Sequence, residues 1–211
     1  MTQRRGRGRP SSTDIDTTQA LLSAALTRFA AKGYEATSLR DISGDANVDV
    51  ALIPYRFGGK VGLWKAIVSQ AAKELHDNLH RALAQTDNKG ECEKLRHSMK
   101  AFLDYLLARP EVPRLLLRDI NNDGDRSQWL LEELSLPLHR HFNDLAQAAA
   151  ASRPRPVEHL QFRVANFIYS AASTVARRER LALLVEDTAT DEPQFAAALE
   201  AMLIDEVLAC G

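Results

Sequence analysis

The 211-residue chain is poor in cysteine and aromatic residues and has no long apolar run. Its two cysteines, Cys92 and Cys210, lie far apart and have no Cys or His at metal-ligand spacing, which argues against a disulfide framework or a structural zinc site. No apolar stretch approaches the roughly 20 residues of a membrane-spanning helix, and no apolar segment follows the positively charged start as in a secretory signal. We therefore expect a cytoplasmic protein without membrane contact.

Net charge is also small, at -1, but it is unevenly distributed. Residues 1–65 hold 10 Lys or Arg against 6 Asp or Glu, whereas residues 66–211 hold 17 against 22. Four arginines, Arg4, Arg5, Arg7 and Arg9, precede the first apolar residues without any acid among them. A basic N-terminal part indicates contact with a polyanion such as nucleic acid. For the four arginines alone, a solubilising tail is the alternative.

Strand-like alternation is absent and helical periodicity dominates, so the sequence predicts an all-α protein. The predicted helices are 13–32, 38–45, 49–57, 60–86, 91–108, 112–120, 125–151 with a kink at Pro137, 157–185 and 192–209. With 45% apolar residues, the chain can bury a substantial core.

Local signals near the N-terminus define a tight helical arrangement. Gly33 can end the first helix, and Ser38 and Asp41 have the spacing of a capping box at the start of the second. Asn47 can take a positive φ in the turn that follows, and Asp49 can cap the third helix. Three helices with a tight turn between the second and third match a DNA-reading helix-turn-helix.

Residues 24–67 closely resemble the N-terminal domain of TetR/AcrR-family transcriptional regulators. The residues that carry the resemblance are Phe29, Gly33, Tyr34, Thr37, Ser38, Asp41, Ile42, Asn47, Val48, Tyr55, Phe57, Lys60 and Leu63. Residues 111–138 more loosely resemble the effector domains of the CecR/YbiH-type subgroup. The resemblance implies a flexible basic arm (1–13), a helix-turn-helix DNA-binding domain (14–59) and an effector-binding and dimerisation domain (60–211).

The resemblance and the physics of helix termini together imply roles for the DNA-binding residues. Thr37, Ser38 and Lys60 lie at helix N-termini, where unpaired N–H groups favour phosphate, and Tyr55 adds a phenolic hydroxyl unless it packs against Phe57. The expected base readers are Asp49, Val50, Leu52 and Arg56 on the third helix, with Arg40 from the second. Arg7-Gly8-Arg9-Pro10 resembles the core of an AT-hook, so the arm is expected in the minor groove.

Pro54 departs from the family pattern. A proline inside a helix costs roughly 3 kcal/mol unless the helix bends or tightens. We therefore expect a shortened or bent third helix.

For the C-terminal part, the resemblance implies a homodimer and an internal pocket for a fairly apolar small-molecule effector. The candidate pocket residues are Phe102, Tyr105, Leu106, Leu116, Trp129, Phe142, Asn166 and Tyr169. The candidate dimer residues are Phe162, Phe167, Ala171, Phe195, Leu199, Met202 and Leu203. An ordinary intramolecular core is the alternative for both sets.

The resemblance thus implies a ligand-responsive regulator, a repressor that an effector releases from a palindromic operator in double-stranded DNA. The alternative is an architectural or partner-regulated DNA-binding dimer without a small-molecule ligand. We expect no catalytic residue, cofactor or metal. His76 and His80 lie one helical turn apart, but no third metal ligand is evident.

Overall fold

The structure is a computed structural model that describes residues 12–120, 124–153 and 156–204, without the side chains of 12–15, 186 and 187. Helices dominate, and no strand occurs in these ranges, which confirms the all-α prediction. The chain divides into two compact units between Ile67 and Val68. We call them the N-terminal and the C-terminal unit. The division falls inside the fourth helix, whereas the sequence analysis placed the domain boundary at its start.

The N-terminal unit contains α1 (Ser12–Lys32), α2 (Leu39–Asp45), α3 (Leu52–Phe57) and the beginning of α4 (Lys60–Ala84). Gly33 follows α1 with a φ of 87°, a left-handed conformation that suits glycine. The Ser38 hydroxyl accepts a hydrogen bond from the Asp41 backbone N–H at 3.1 Å, as the capping-box spacing predicted. Apolar side chains from all four helices form the core: Leu21, Ala25, Phe29, Ile42, Ile53, Leu63 and Trp64 are fully buried.

The C-terminal unit contains the rest of α4 and the helices that follow it. Their bounds are α5 (Glu91–Ala108), α6 (Glu111–Ile120), α7 (Asp125–Leu130), α8 (Leu136–Ala151), α9 (Leu160–Ala176), α10 (Arg178–Leu181), α11 (Glu186–Thr190) and α12 (Glu192–Leu199). The core forms where α5, α8 and α9 pack against one another. Phe102, Phe142 and Phe167, one from each helix, meet there with ring centroids 5.5–5.7 Å apart.

Two long predicted helices are interrupted in the structure. The predicted helix 125–151 has no simple kink at Pro137; a π-helical turn (Leu131–Ser135) separates α7 from α8 directly before the proline. Proline lacks the N–H for a normal helical hydrogen bond and its ring crowds the preceding turn, so a wider turn there relieves the conflict. A second π-helical turn (Glu200–Ile204) follows α12, and the predicted continuation to residue 209 lies outside the described residues.

The predicted helix 157–185 also ends early, because the chain folds back after α9. Arg178 donates hydrogen bonds to the Ala189 carbonyl at 2.9 Å and the Thr190 carbonyl at 3.3 Å. Its guanidinium also lies 5.0 Å from the centroid of the Phe195 ring. These contacts join α10 to α11 and α12, so a short-helix hairpin replaces the expected continuous helix.

The described ranges bear on two expectations from the sequence, namely no membrane-spanning helix and no metal site. No helix there is long and apolar enough to cross a membrane. The His76 and His80 ring centroids lie 4.2 Å apart with the rings tilted by 56°. The described residues hold no group of three or more His, Cys, Asp or Glu suited to a metal ion.

Candidate nucleic-acid interface and small-molecule cavity

The connection between α2 and α3 is held in a fixed shape by local hydrogen bonds. Asn47 has a φ of 53°, as predicted, and the Val48 N–H donates to the Ser43 carbonyl at 3.0 Å. The Asp49 carboxylate accepts a hydrogen bond from the N–H of Ala51, the residue directly before α3, at 2.8 Å. These contacts set the direction in which α3 leaves the turn.

Arg28 on α1 forms an ion pair with α2. Its guanidinium donates to both carboxylate oxygens of Asp45, at 2.5 and 2.7 Å, and Asp41 lies 3.9 Å away. The hydrogen bond from Arg28 lowers the pKa of Asp45, and the bond from Ser38 lowers that of Asp41. A two-pronged contact fixes orientation as well as distance, so α2 is held firmly on α1.

Pro54 is less costly than the sequence analysis expected. α3 has six residues, and Pro54 is the third of them, within the first turn, where N–H groups have no partner in the helix anyway. The Gly58 N–H still donates to the Pro54 carbonyl at 3.0 Å and closes the helix. The expected short helix is therefore present, and it needs no bend.

Five of the predicted DNA contacts lie on the exposed surface of this unit: Ser38, Arg40, Asp49, Val50 and Tyr55. Tyr55 is 86% exposed, which rules out the alternative that it packs against Phe57. The side chains of Ser38 and Asp49 each also serve as a cap, so Arg40, Val50 and Tyr55 are the side chains most available to DNA.

Other predicted contacts have internal partners and need correction. Thr37 is buried, and its hydroxyl donates to the Gly33 carbonyl at 2.7 Å, so its side chain closes the α1–α2 turn instead of facing phosphate. Arg56 is partly buried and donates a hydrogen bond to the Thr18 hydroxyl on α1. Leu52 is also half-buried. The Lys60 ammonium lies 4.4 Å from the centroid of the Tyr34 ring. Arg4, Arg5, Arg7 and Arg9 lie outside the described residues.

The C-terminal unit contains an apolar cavity between α4, α5, α6, α8 and α9. Its empty volume is about 600 Å³, counting the open end. Its wall consists of Ala71, Leu75, Phe102, Tyr105, Leu106, Val112, Pro113, Leu116, Leu117, Ile120, Leu134, Ser135, Leu138, His139, Ile168, Tyr169 and Ala172. A mainly apolar cleft with a few polar groups is typical of small-molecule sites.

Five of the eight predicted pocket residues line this cavity: Phe102, Tyr105, Leu106, Leu116 and Tyr169. The other three do not. Phe142 is buried in the aromatic core behind it, Asn166 is exposed, and Trp129 lies on α7 away from the wall.

Sequence reasoning missed most of the wall from α6 and α8. A signal existed on α6, where Val112, Pro113, Leu116, Leu117 and Ile120 repeat at helical spacing and form one apolar face. Ser135 and His139 were missed because no sequence pattern shows which polar residues turn inward.

The predicted dimer residues separate into two groups. Phe167, Ala171, Phe195 and Leu199 are buried within the unit, so for these the intramolecular core, the alternative kept in the sequence analysis, is correct. Phe162 and Met202 are 75% and 68% exposed, and Leu203 is half-buried. Phe162 belongs to α9 and Met202 to the second π-helical turn, and these two elements pack against each other.

The N-terminal unit, with α2 and α3 joined by a fixed turn and α3 exposed, is a helix-turn-helix domain of the kind found in transcriptional regulators. Residues 21–67 match the family model described as bacterial regulatory proteins, tetR family. Residues 21–67 of the N-terminal unit are therefore similar to the DNA-binding domain of that family.

An individual protein with a similar sequence is also a probable transcriptional regulator. The chain is 28% identical over 110 residues to the probable HTH-type transcriptional regulator YttP of Bacillus subtilis (strain 168). The matched region is 52% of this chain and 53% of the relative, so the chain spans about half the length of that relative.

Solved structures share the fold over most of the chain. A TetR-like transcriptional regulator from Rhodococcus sp. RHA1 has a TM-score of 0.69 at 16% identity and covers 96% of this chain and 100% of its own. The fatty acid degradation regulator FadR from Bacillus halodurans has a TM-score of 0.70 at 12% identity, covering 93% and 97%. The finer resemblance to the CecR/YbiH-type subgroup stays a prediction.

Proposed function

We propose that the protein is a ligand-responsive regulator that binds a palindromic operator as a homodimer and is released by an apolar small molecule. The observation that carries the ligand response is the apolar cavity of the C-terminal unit. A solid core there would have favoured the alternative, an architectural or partner-regulated DNA-binding dimer. The cavity supports the effector-binding function instead.

The proposed DNA-binding surface is the exposed face of α2, α3 and the turn between them. Arg40 offers a charged fork that suits guanine or phosphate, and Tyr55 offers a hydroxyl. Val50 is 37% exposed and can contact a thymine methyl group. Arg56 is held by Thr18, so Arg40 is the stronger candidate for a direct contact.

Replacing Arg40 with alanine should weaken operator binding by about 5- to 150-fold, because one such contact contributes about 1–3 kcal/mol. Arg180→Ala is the matched control, since it removes the same charge from an exposed site in the C-terminal unit. Fluorescence anisotropy of labelled operator over a range of salt concentrations measures both. Equal affinities for the two variants would contradict a role for Arg40, and a salt slope lowered by about 1 would identify its partner as phosphate.

We also expect the arginine arm, residues 1–13, to contribute to operator binding. About 12 residues can extend roughly 40 Å, enough to follow the groove beside α3, and arginines favour a narrow minor groove. Deleting residues 1–10 should therefore weaken operator binding and flatten its salt dependence. If the truncated protein binds with unchanged affinity and slope, the arm is only a solubilising tail.

For the dimer, the exposed apolar side chains of α9 and the turn after α12 provide a starting surface. Phe162 and Met202 are large, apolar and mostly exposed, which is unfavourable unless another surface covers them. A second copy of the chain is the occupant we propose. Two helix-turn-helix domains in one dimer would then meet major grooves about 34–36 Å apart.

The first π-helical turn connects the cavity with α4. Leu134 and Ser135 in this turn line the cavity, and the neighbouring Glu133 accepts a hydrogen bond from the Ser69 hydroxyl on α4 at 3.0 Å. An effector that fills the cavity can displace this turn and, through Ser69, bias the position of α4. The shift in population would favour the arrangement that does not fit the operator.

The proposal is tested by adding apolar compounds to the protein–operator complex and following anisotropy. Release by a compound that also binds the free protein supports the ligand response. If effector-bound and free protein hold the operator equally well, the ligand response is contradicted. Ser69→Ala should retain compound binding but respond less, because it removes the link between Glu133 and α4.

A further inference from the structure

The cavity wall includes Ser135 and His139, two polar side chains from the start of α8 and the turn before it. Ser135 is only 9% exposed, and His139 lies one helical turn further on, so both can face the same space. Within the described part of the chain, neither the Ser135 hydroxyl nor the His139 ring nitrogens have a hydrogen-bond partner. The Tyr105 hydroxyl differs, because it donates to the Ala71 carbonyl at 3.2 Å.

His139 is only half-buried, so water can reach the two groups until a ligand displaces it. A ligand that excludes this water without offering a hydrogen bond would leave each group unsatisfied, at a cost of about 1–3 kcal/mol. Here the two groups adjoin an apolar space with an open end, and the His139 ring lies 5.7 Å from the partly exposed Tyr169 ring. A bound molecule with one hydrogen-bonding group would satisfy them. Apart from Tyr105 and Tyr169, which carry hydroxyl groups, the remaining wall side chains are apolar.

The cavity also lacks the means to neutralise a charged ligand. None of its wall residues in the described ranges is Lys, Arg, Asp or Glu. Burial lowers the pKa of His139 below its ordinary value, which favours the neutral ring. A carboxylate or an ammonium group entering this space would lose its hydration and gain no counter-charge, at a cost of several kcal/mol.

We propose that the cavity selects an uncharged apolar molecule with a single hydrogen-bonding group, such as an alcohol, a ketone or an ester, whose polar group bonds to Ser135 and His139. The inference rests on the proposed function, in which this cavity is the effector site. It adds a selection against charge, which apolar walls alone do not specify.

Three probes with the same alkyl chain test the selection: 1-decanol, decanoate and decylammonium. Isothermal titration calorimetry of the full chain without DNA, below the aggregation concentration of each probe, measures binding directly. The account expects 1-decanol to bind at least about tenfold more tightly than either ion. Equal or tighter binding of decanoate or decylammonium would overturn the inference, and so would the absence of saturable binding by all three.

Variants locate the binding site. Ser135→Ala and His139→Leu should each weaken 1-decanol binding roughly three- to tenfold, because each removes one hydrogen bond. Ser152→Ala is the matched control, since it removes an exposed hydroxyl at the end of the same helix, bonded to the Ala149 carbonyl. Ala172→Leu narrows the cavity at its partly exposed edge and should reduce binding of every probe. Unchanged affinity in Ser135→Ala, His139→Leu and Ala172→Leu would place binding elsewhere and overturn the assignment.

A second readout separates this inference from the proposed function. If 1-decanol binds selectively and also releases the operator, both stand. If it binds selectively but leaves operator affinity unchanged, the cavity still selects uncharged molecules and the proposed ligand response is contradicted. If decanoate binds more tightly and releases the operator, the ligand response stands and the selection for an uncharged molecule is wrong.

Discussion

Replacing Gly62 with alanine should destabilise the N-terminal unit by about 3 kcal/mol or more and lower operator affinity by at least about tenfold. Gly62 lies in the first turn of α4, against the end of α3. A Cβ atom at this position would lie 1.6 Å from the Phe57 carbonyl oxygen and 2.8 Å from its carbon. Both atoms belong to the backbone, so α3 has to move away from α4.

Thermal unfolding and operator anisotropy measure the two effects. Gly44→Ala is the matched control, because a Cβ there meets nothing within 4 Å and Gly44 does not have a positive φ. Alanine is favoured over glycine in a helix by about 0.5–1 kcal/mol, so this control should be as stable as the wild type or slightly more so. A Gly62→Ala protein with wild-type stability and affinity would show that α3 does not depend on this close approach.

Replacing Phe142 with alanine should destabilise the C-terminal unit by about 3–5 kcal/mol. Phe142 is 1% exposed, and its ring contacts Phe102, Phe167 and His141 with centroids 5.1–5.6 Å apart. The substitution removes the centre of the aromatic core and leaves a void that neighbouring helices cannot fully close. Equilibrium unfolding in urea, followed by circular dichroism, measures the loss.

Phe162→Ala provides the comparison for the same chemical change at a 75% exposed site. The Phe142 effect should be independent of protein concentration. For Phe162, the proposed dimer predicts a loss of apparent stability that becomes larger as the protein is diluted, because subunit binding contributes to stability. If Phe162→Ala has no effect at any concentration, this side chain is not in the dimer interface. A loss below about 1 kcal/mol for Phe142→Ala would contradict the packing of the aromatic core.

The N-terminal unit was largely predictable because its signals are local. The Ser38–Asp41 cap, the positive φ of Asn47 and the stop at Gly33 each depend on residues close in sequence, and each appears as expected. Arg56 and Thr37 could not be placed in the same way. Their partners, Thr18 and the carbonyls of Gly33 and Arg28, are set by how α1 packs against the later helices.

In the C-terminal unit, contacts between residues distant in sequence determined more of the structure than local sequence signals did. Helical periodicity identified Phe167 and Phe195 as members of apolar faces, but not whether a face meets its own unit or a second copy. The ends of α9 and the hairpin after it depend on Arg178 reaching the carbonyls of Ala189 and Thr190, which periodicity does not show. The family resemblance implied an internal pocket, and its candidates Phe102, Tyr105 and Leu106 line the cavity.

The most direct test of the account is selection of bound fragments from random duplex DNA by the purified protein, at about 0.15 M salt because affinity depends on salt. A dimer that reads DNA through α3 predicts enrichment of an inverted repeat with half-sites about one helical turn, or a multiple of it, apart. It also predicts that Arg40→Ala loses preference at defined positions of that repeat. Enrichment of AT-rich DNA without a repeat, or of no motif, would contradict the account and favour an architectural protein that binds through its arginine arm.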